Sequence, residues 1–269
     1  MKKIMLFILA LCLCFTAIGA AFAETAAAEV PAAEMTAEEL YQAGLDANDA
    51  KDYGKALEYY QLAADLGYAE AIKEIGNLYH DGLGVEQSYD KAFEYYQRAA
   101  DLGNTNALNN LGTMYLNGFG VEKNFDEAFK CLSTAVEQGN VTALYNLGLM
   151  YHFGWGVEQD YGRAHEYFQQ TVDQGDVNAI VGIGSLYYFG EGVEQDYGKA
   201  VEYYTLAAEQ GSPAGMFALG DCFYEGKGTE KDPDKAAEWY RKALEAGYEP
   251  DEEEQVHLKD VLGDEYTQK

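Results

Sequence analysis

What the sequence is short of narrows it first. Its 269 residues hold four cysteines, at positions 12, 14, 131 and 222. A small secreted scaffold stapled by disulfides needs an even, closely spaced set, so that class is excluded. Positive charge is scarce: 18 Lys and Arg against 46 Asp and Glu leave a net charge of −28. Such a surface repels nucleic acid and anionic lipid and favours basic partners, besides serving solubility. The four histidines, His80, His152, His165 and His257, have no spacing suited to a metal. Neither a cofactor nor a metal is expected. No nucleophile–base constellation stands out, so no catalytic residue is assigned.

Long apolar runs are missing too, except at the start. Met1-Lys2-Lys3 leads into an uncharged stretch from Ile4 to Phe15, and Ala21-Phe22-Ala23 precedes Glu24. A basic opening, a short apolar run and an A-x-A site describe a secretory leader over residues 1–23. A spanning helix needs ~20 apolar residues, so no stable membrane span is expected after cleavage at Ala23. The expected destination is extracytoplasmic, either periplasmic or secreted. Loss of Lys2 and Lys3 with the leader takes the net charge to −30. Residues 24–35 are Ala/Glu-rich without apolar period and read as a flexible tether.

What is present is a repeat. Gly76, Gly112, Gly148, Gly184 and Gly220 recur every 36 residues, as do Ala71, Ala107, Ala143 and Ala179. Tyr79, Tyr115, Tyr151 and Tyr187 keep the same spacing, with Tyr224 one place late. Glycine pairs recur at 82/84, 118/120, 154/156, 190/192 and 226/228. Ala71, Ile75 and Tyr79 share one face of a helix, and Ala92, Tyr96 and Ala99 one face of a second. Asp52, Ser88, Asn124, Asp160, Asp196 and Asp232 stand where second helices begin, as side chains that accept from free helix N–H groups do. Asn104, Asn140, Asp176 and Ser212 open first helices. Gly67, Gly103, Gly139, Gly175, Gly211 and Gly247 close second ones, where a left-handed residue is wanted. In the glycine pairs the first ends a helix and the second permits a tight turn, with Val85, Val121, Val157 and Val193 tucked beneath.

From Gly44 to Ala56 is 12 residues, against 16 from Gly76 to Ala92. The first unit, 36–70, therefore has tetratricopeptide spacing. The motif Ala143-x3-Leu147-Gly148-x2-Tyr151-x2-Gly154-x-Gly156-Val157, followed by Ala164-x2-Tyr167-Phe168, resembles the Sel-one-like repeat family, a relative of the tetratricopeptide repeats. The resemblance covers five units over residues 71–250. It implies an all-α fold: a right-handed superhelical α/α solenoid of six helix–turn–helix repeats. A capping helix over 251–269, carrying Val256, Val261 and Leu262, is expected to close the stack. The resemblance also implies a non-enzymatic scaffold that binds protein or peptide partners. Its alternative is an enzyme, since penicillin hydrolysis is attributed to some cysteine-rich relatives. This sequence lacks their paired cysteines. Ser88-Tyr89-Asp90-Lys91 fits an S-x-x-K pattern, but Ser88 holds a helix-start position and no K-T-G or S-D-N follows.

In tetratricopeptide-like solenoids the first helices line the concave face. By register, that face takes Lys73, Asn77, His80, Asn110, Tyr145, Asn146, Leu149, His152, Phe153, Tyr188, Phe189, Phe217 and Tyr224. Lys73, Asn77 and Asn110 resemble part of a clamp for a peptide carboxylate, without the basic residues that complete it. The aromatics of units four to six offer anchors of the kind found at binding hot spots. A second candidate surface is the acidic edge formed by Glu86, Glu122, Glu158, Glu194 and Glu230, one per long loop, which suits a basic partner. Asn140-Val141-Thr142 is a glycosylation sequon by pattern and a helix start by register. Cys131 and Cys222, three units apart, are expected to be buried apolar residues rather than a disulfide.

Overall fold

The computed structural model describes residues 31–252 and 254–263. The expected leader and residues 24–30 of the tether lie outside the described residues. Among the described residues, thirteen α-helices follow a short 3-10 turn, Ala32–Glu34. Six hairpins come in succession: α1 (Ala37–Asp49) with α2 (Tyr53–Asp65), α3 (Ala69–Asp81) with α4 (Tyr89–Asp101), and α5 (Thr105–Asn117) with α6 (Phe125–Glu137). The series continues with α7 (Thr142–Phe153) and α8 (Tyr161–Val172), α9 (Val177–Phe189) and α10 (Tyr197–Glu209), then α11 (Pro213–Glu225) and α12 (Pro233–Glu245). A last helix, α13 (Glu254–Leu262), closes the row. The result is an all-α solenoid in which each helix packs on the next.

The helix ends follow from the side chains at them. Asp160, Asp196 and Asp232 accept from the backbone N–H three residues on, at 3.0, 3.0 and 3.1 Å. Ser88 does the same for Lys91 at 3.4 Å, so the Ser-x-x-Lys serine is a helix cap. Asn140 caps Ala143 N at 3.0 Å, although α7 itself starts only at Thr142. Asn140 is buried and its amide donates to Asn106 Oδ1 at 2.7 Å. A glycan on this buried Nδ2 would displace its bond to Asn106, which speaks against the sequon reading.

The paired glycines have separate duties. Gly82 ends α3 at φ +69°, and Gly84 follows at φ +70°. A Cβ on Gly120 would lie 2.4 Å from the Tyr89 carbonyl carbon. The second glycine thus lets the loop of one unit lie against the second helix of the unit before. The residue between the two glycines adds to this: Phe119 stacks on Tyr89 at 4.8 Å and Trp155 on Phe125 at 5.9 Å.

Inside each hairpin, the 36-residue glycine makes room for a ring. A Cβ at Gly76, Gly148, Gly184 or Gly220 would come 2.6 Å from the ring of Tyr96, Phe168, Tyr204 or Tyr240. Those four rings are buried. Beside them, Tyr79, Tyr151 and Tyr187 stack on Tyr95, Tyr167 and Tyr203 at 5.6 to 5.7 Å. Scarce cations cover these stacks: Lys91, Arg163 and Lys199 lie 4.8, 5.2 and 4.8 Å from the centres of Tyr79, Tyr151 and Tyr187. In the sixth unit Phe223 takes the tyrosine's place, beneath Lys235 at 5.3 Å, which explains the misplaced Tyr224.

The two ends differ from expectation. Ala32 and Met35, at the end of the stretch read as tether, pack on the first apolar cluster. In α13, Leu258 and Leu262 are buried, whereas Val256 is 61% exposed. Of the three residues expected to pack, Leu262 and Val261 do, and Leu258 takes the place read for Val256. Both Cys131 and Cys222 are free; Cys222 is buried and its thiol is pushed up to about 12 by burial, while Cys131 is only half-buried.

Candidate partner-binding face

Which side is concave follows from the contacts. Among non-consecutive helices, α5 touches α7 and α9 touches α11. All are first helices, so these lie on the side of shorter radius. Polar side chains join them across units. Asn146 donates to Asn109 Oδ1 at 2.9 Å, Tyr188 to Glu225 at 2.6 Å, and Tyr224 to Asp260 at 2.6 Å. Asn110 reaches Asn77 at 3.4 Å.

The resemblance to a carboxylate clamp fails for a physical reason. Lys73 pairs with Glu74, and Asn77 donates to the other Glu74 oxygen at 2.7 Å. Asn77 Oδ1 meanwhile accepts from Tyr96 at 2.7 Å. The carboxylate these residues would hold is already supplied by their own helix. Lys73 keeps only 15% of its side-chain surface.

Two clefts open on this face. The first, about 230 Å³, is lined by Asn77, His80, Tyr96, Asn110, Thr113, Met114 and Phe119. His80 is fixed there by Asp81 Oδ1 at 2.6 Å and by the edge of Tyr89. The second cleft, about 200 Å³, runs across units four and five and has a more apolar lining that includes Tyr145, Leu149, His152, Phe153, Phe168 and Val181. Burial pushes the Tyr145 hydroxyl up to about 12, so it stays neutral. Phe153 is 52% and Phe189 63% exposed. His152 Nε2 lies 3.7 Å from Glu191 Oε2. Burial holds His152 below its ordinary value against the opposing pull of Glu191.

Comparison with known proteins places the chain. A model of the Sel1 repeat matches residues 30–68, 69–104, 105–140, 141–176, 177–212 and 213–248. The chain belongs to the Sel1 repeat family. All six units match, including the first with its shorter loop. A Sel1 repeat protein from Oxalobacter formigenes shares 30% identity at a TM-score of 0.69, over 82% of this chain and 97% of that one. A protective antigen of uropathogenic Escherichia coli with an SLR fold also shares 30% identity, at a TM-score of 0.66 and over 84% of this chain. This chain spans 50% of that antigen's length. The immunity protein Pa5087 of Pseudomonas aeruginosa is 25% identical, at a TM-score of 0.54, over 78% of this chain and 81% of that one. A search of the curated proteins found no match. Sel1 repeat proteins are commonly protein-interaction scaffolds.

At the sixth Sel1 repeat the inner face departs from its expected register. Phe217 is 2% exposed, packed between Tyr240 and Tyr248 at 4.9 and 4.5 Å, and is not a groove residue. The capping segment covers it. Tyr224 is likewise taken up by α13, through Asp260 and the ring of His257 at 5.2 Å. The open apolar face therefore belongs to repeats four and five.

The five loop glutamates, Glu86, Glu122, Glu158, Glu194 and Glu230, are all exposed. Three carboxylates that sequence reasoning passed over stand nearer the groove: Glu74, Glu191 and Asp221. Asp221 accepts from Tyr240 at 2.6 Å, and burial raises it to about 6. The signal was available, since each is the one acid in its repeat column: Glu74 among Asn, Gly and Ala, Glu191 among Leu, Phe, Trp and Lys, and Asp221 among Asn, Thr, Leu and Ser. Among the described residues no His, Cys, Asp and Glu side chains gather to hold a metal, and no helix is long and apolar enough to cross a membrane.

Proposed function

We propose that this protein is an exported, non-enzymatic scaffold that holds an extended segment of a partner protein along the inner face of its fourth and fifth repeats. The observation that carries the reading is the pair Phe153 and Phe189, the two most exposed phenylalanines among the described residues, at 52% and 63%. Apolar anchors of this kind, beside a cleft, dominate binding energy in protein interfaces. The net charge of −28 selects a partner of opposite sign, and the five exposed loop glutamates extend that field beyond the groove.

The test compares capture by wild type with capture by a Phe153→Ser, Phe189→Ser double variant. Both side chains are largely solvated, so the fold is expected to survive and circular dichroism should be unchanged. A partner held by wild type and lost by the variant supports the groove; equal capture by both overturns it. Raising salt from about 50 to about 500 mM shortens the range of the field to a few ångströms and should weaken capture steeply. Export has its own readout: the protein recovered outside the cytoplasm should begin at Glu24, and recovery only in the cytoplasm with Met1 intact would refute it. A nitrocefin-type turnover assay should give no rate above buffer, which separates the scaffold from a penicillin-hydrolysing enzyme.

A further inference from the structure

The residue between the paired glycines is Leu83, Phe119, Trp155, Glu191 and Lys227 in successive loops. Where it is aromatic, it stacks on the ring that starts the previous unit's second helix. Lys227 keeps to the pattern by lying over Tyr197 at 5.6 Å while pairing with Glu225 at 2.6 Å. Glu191 breaks it. A carboxylate stands where a ring or a paired cation stands elsewhere, and its Oε2 is buried with no hydrogen-bond partner. His152 Nδ1 is also buried and unpartnered. His152 Nε2, at 3.7 Å, is too far from Glu191 for a hydrogen bond. Since burial holds the imidazole below its ordinary value, it is neutral at pH 7 and offers no positive charge to its neighbour. Glu191 nonetheless keeps 27% of its side-chain surface, and His152 beside it lines the apolar cleft of repeats four and five.

We propose that this cleft recognises an extended polypeptide segment in which an apolar side chain stands next to an arginine or lysine. The apolar side chain enters between Tyr145, Leu149, Phe153 and Val181, and the cation lies on Glu191 at the edge. The proposal rests on the groove reading above and adds the chemistry of its occupant. A cation supplies the opposite charge that neither Tyr161 nor neutral His152 gives Glu191, and an apolar neighbour fills a cleft that is otherwise open to water. The acid excess over the whole chain draws such a segment in rather than an acidic one.

The experiment uses the described protein and three acetylated, amidated hexapeptides: Gly-Ser-Leu-Arg-Ser-Gly, the same with Glu for Arg, and the same with Ala for Leu. Binding is followed by amide chemical-shift perturbation and calorimetry. The Leu-Arg peptide is expected to bind at least ~10-fold more tightly than either control, with shifts centred on residues of α7 and α9. Glu191→Gln should remove most of its advantage over the Leu-Glu peptide, and Glu191→Lys should reverse the preference. Equal binding of the three peptides, or an unchanged preference in Glu191→Lys, overturns the proposal. If the Phe153→Ser, Phe189→Ser variant loses its natural partner while Glu191→Lys keeps it, the groove reading stands and this inference falls. If the double variant keeps the partner, the groove reading itself fails.

Discussion

Tyr60 exposes a rule by breaking it. In the hairpins the ring carried by the second helix reaches the inner face opposite one position of the first helix. Where that ring bears a hydroxyl, the opposite position is polar: Asn77 for Tyr96, Ser185 for Tyr204 and Asp221 for Tyr240, at 2.7, 3.1 and 2.6 Å. Where the ring is Phe168, the position is Leu149. In the first hairpin the same register sets Tyr60 opposite Leu45, and the Tyr60 hydroxyl is buried without a partner. Deleting an unpaired buried hydroxyl removes a desolvation penalty of ~1–3 kcal/mol. Tyr60→Phe should therefore raise the urea midpoint. Tyr240→Phe deletes a donor to a half-buried carboxyl, so it should lower the midpoint by the equivalent of ~1.5–3 kcal/mol. The glycines opposite these rings have the complementary constraint. Gly148→Ala sets a methyl 2.6 Å from the Phe168 ring, an overpacking expected to cost ~1–3 kcal/mol in the same titration. The 36-residue glycine period was legible in the sequence, but its cause was not. The ring that needs the space sits 20 residues downstream on another helix, and only packing pairs the two.

Among the elements, α13 was the hardest to read and is the one tied down by ionisable groups. Its sequence suggested Val256, Val261 and Leu262; the last two pack but Leu258 replaces Val256, since a single helix with few apolar residues allows several amphipathic registers. Asp251 caps its start, accepting from Glu254 N at 2.9 Å. On the partner helix α11, Asp221 faces Tyr240 of α12 and His257 of α13, with Glu225 one turn on. Burial raises Asp221 to about 6, well above the ordinary aspartate value it regains on unfolding. Between pH ~4 and ~6 the folded chain holds a proton that the unfolded chain has released, so this group's contribution falls as pH rises through that window. Partial exposure trims the effect to ~2 kcal/mol. Urea titrations at pH 4, 5, 6 and 7, comparing wild type with Asp221→Asn, should show the wild type losing ground to the variant as pH rises. A constant difference would refute the burial argument.

At the scale of the molecule, periodicity made the fold legible and made the site hard to see. A repeat announces what its units share, which is packing, while binding resides in the positions where units differ. Thus Gly, Ala and the buried rings were read correctly from spacing alone. Phe217 was misassigned to the groove because the last unit is bordered by a cap rather than by another repeat. The same architecture governs how the chain yields. Helices here touch near neighbours, so stability propagates along the row, and the loss of one end is felt there first. Truncation after Gly247 strips the cover from Phe217 and removes the Tyr224–Asp260 bond. Hydrogen exchange of the truncated chain should lose protection in α11 and α12, with α3 to α6 close to wild type. A uniform loss across all six repeats would mean that the stack opens as one unit, and that nearest-neighbour packing does not set its stability.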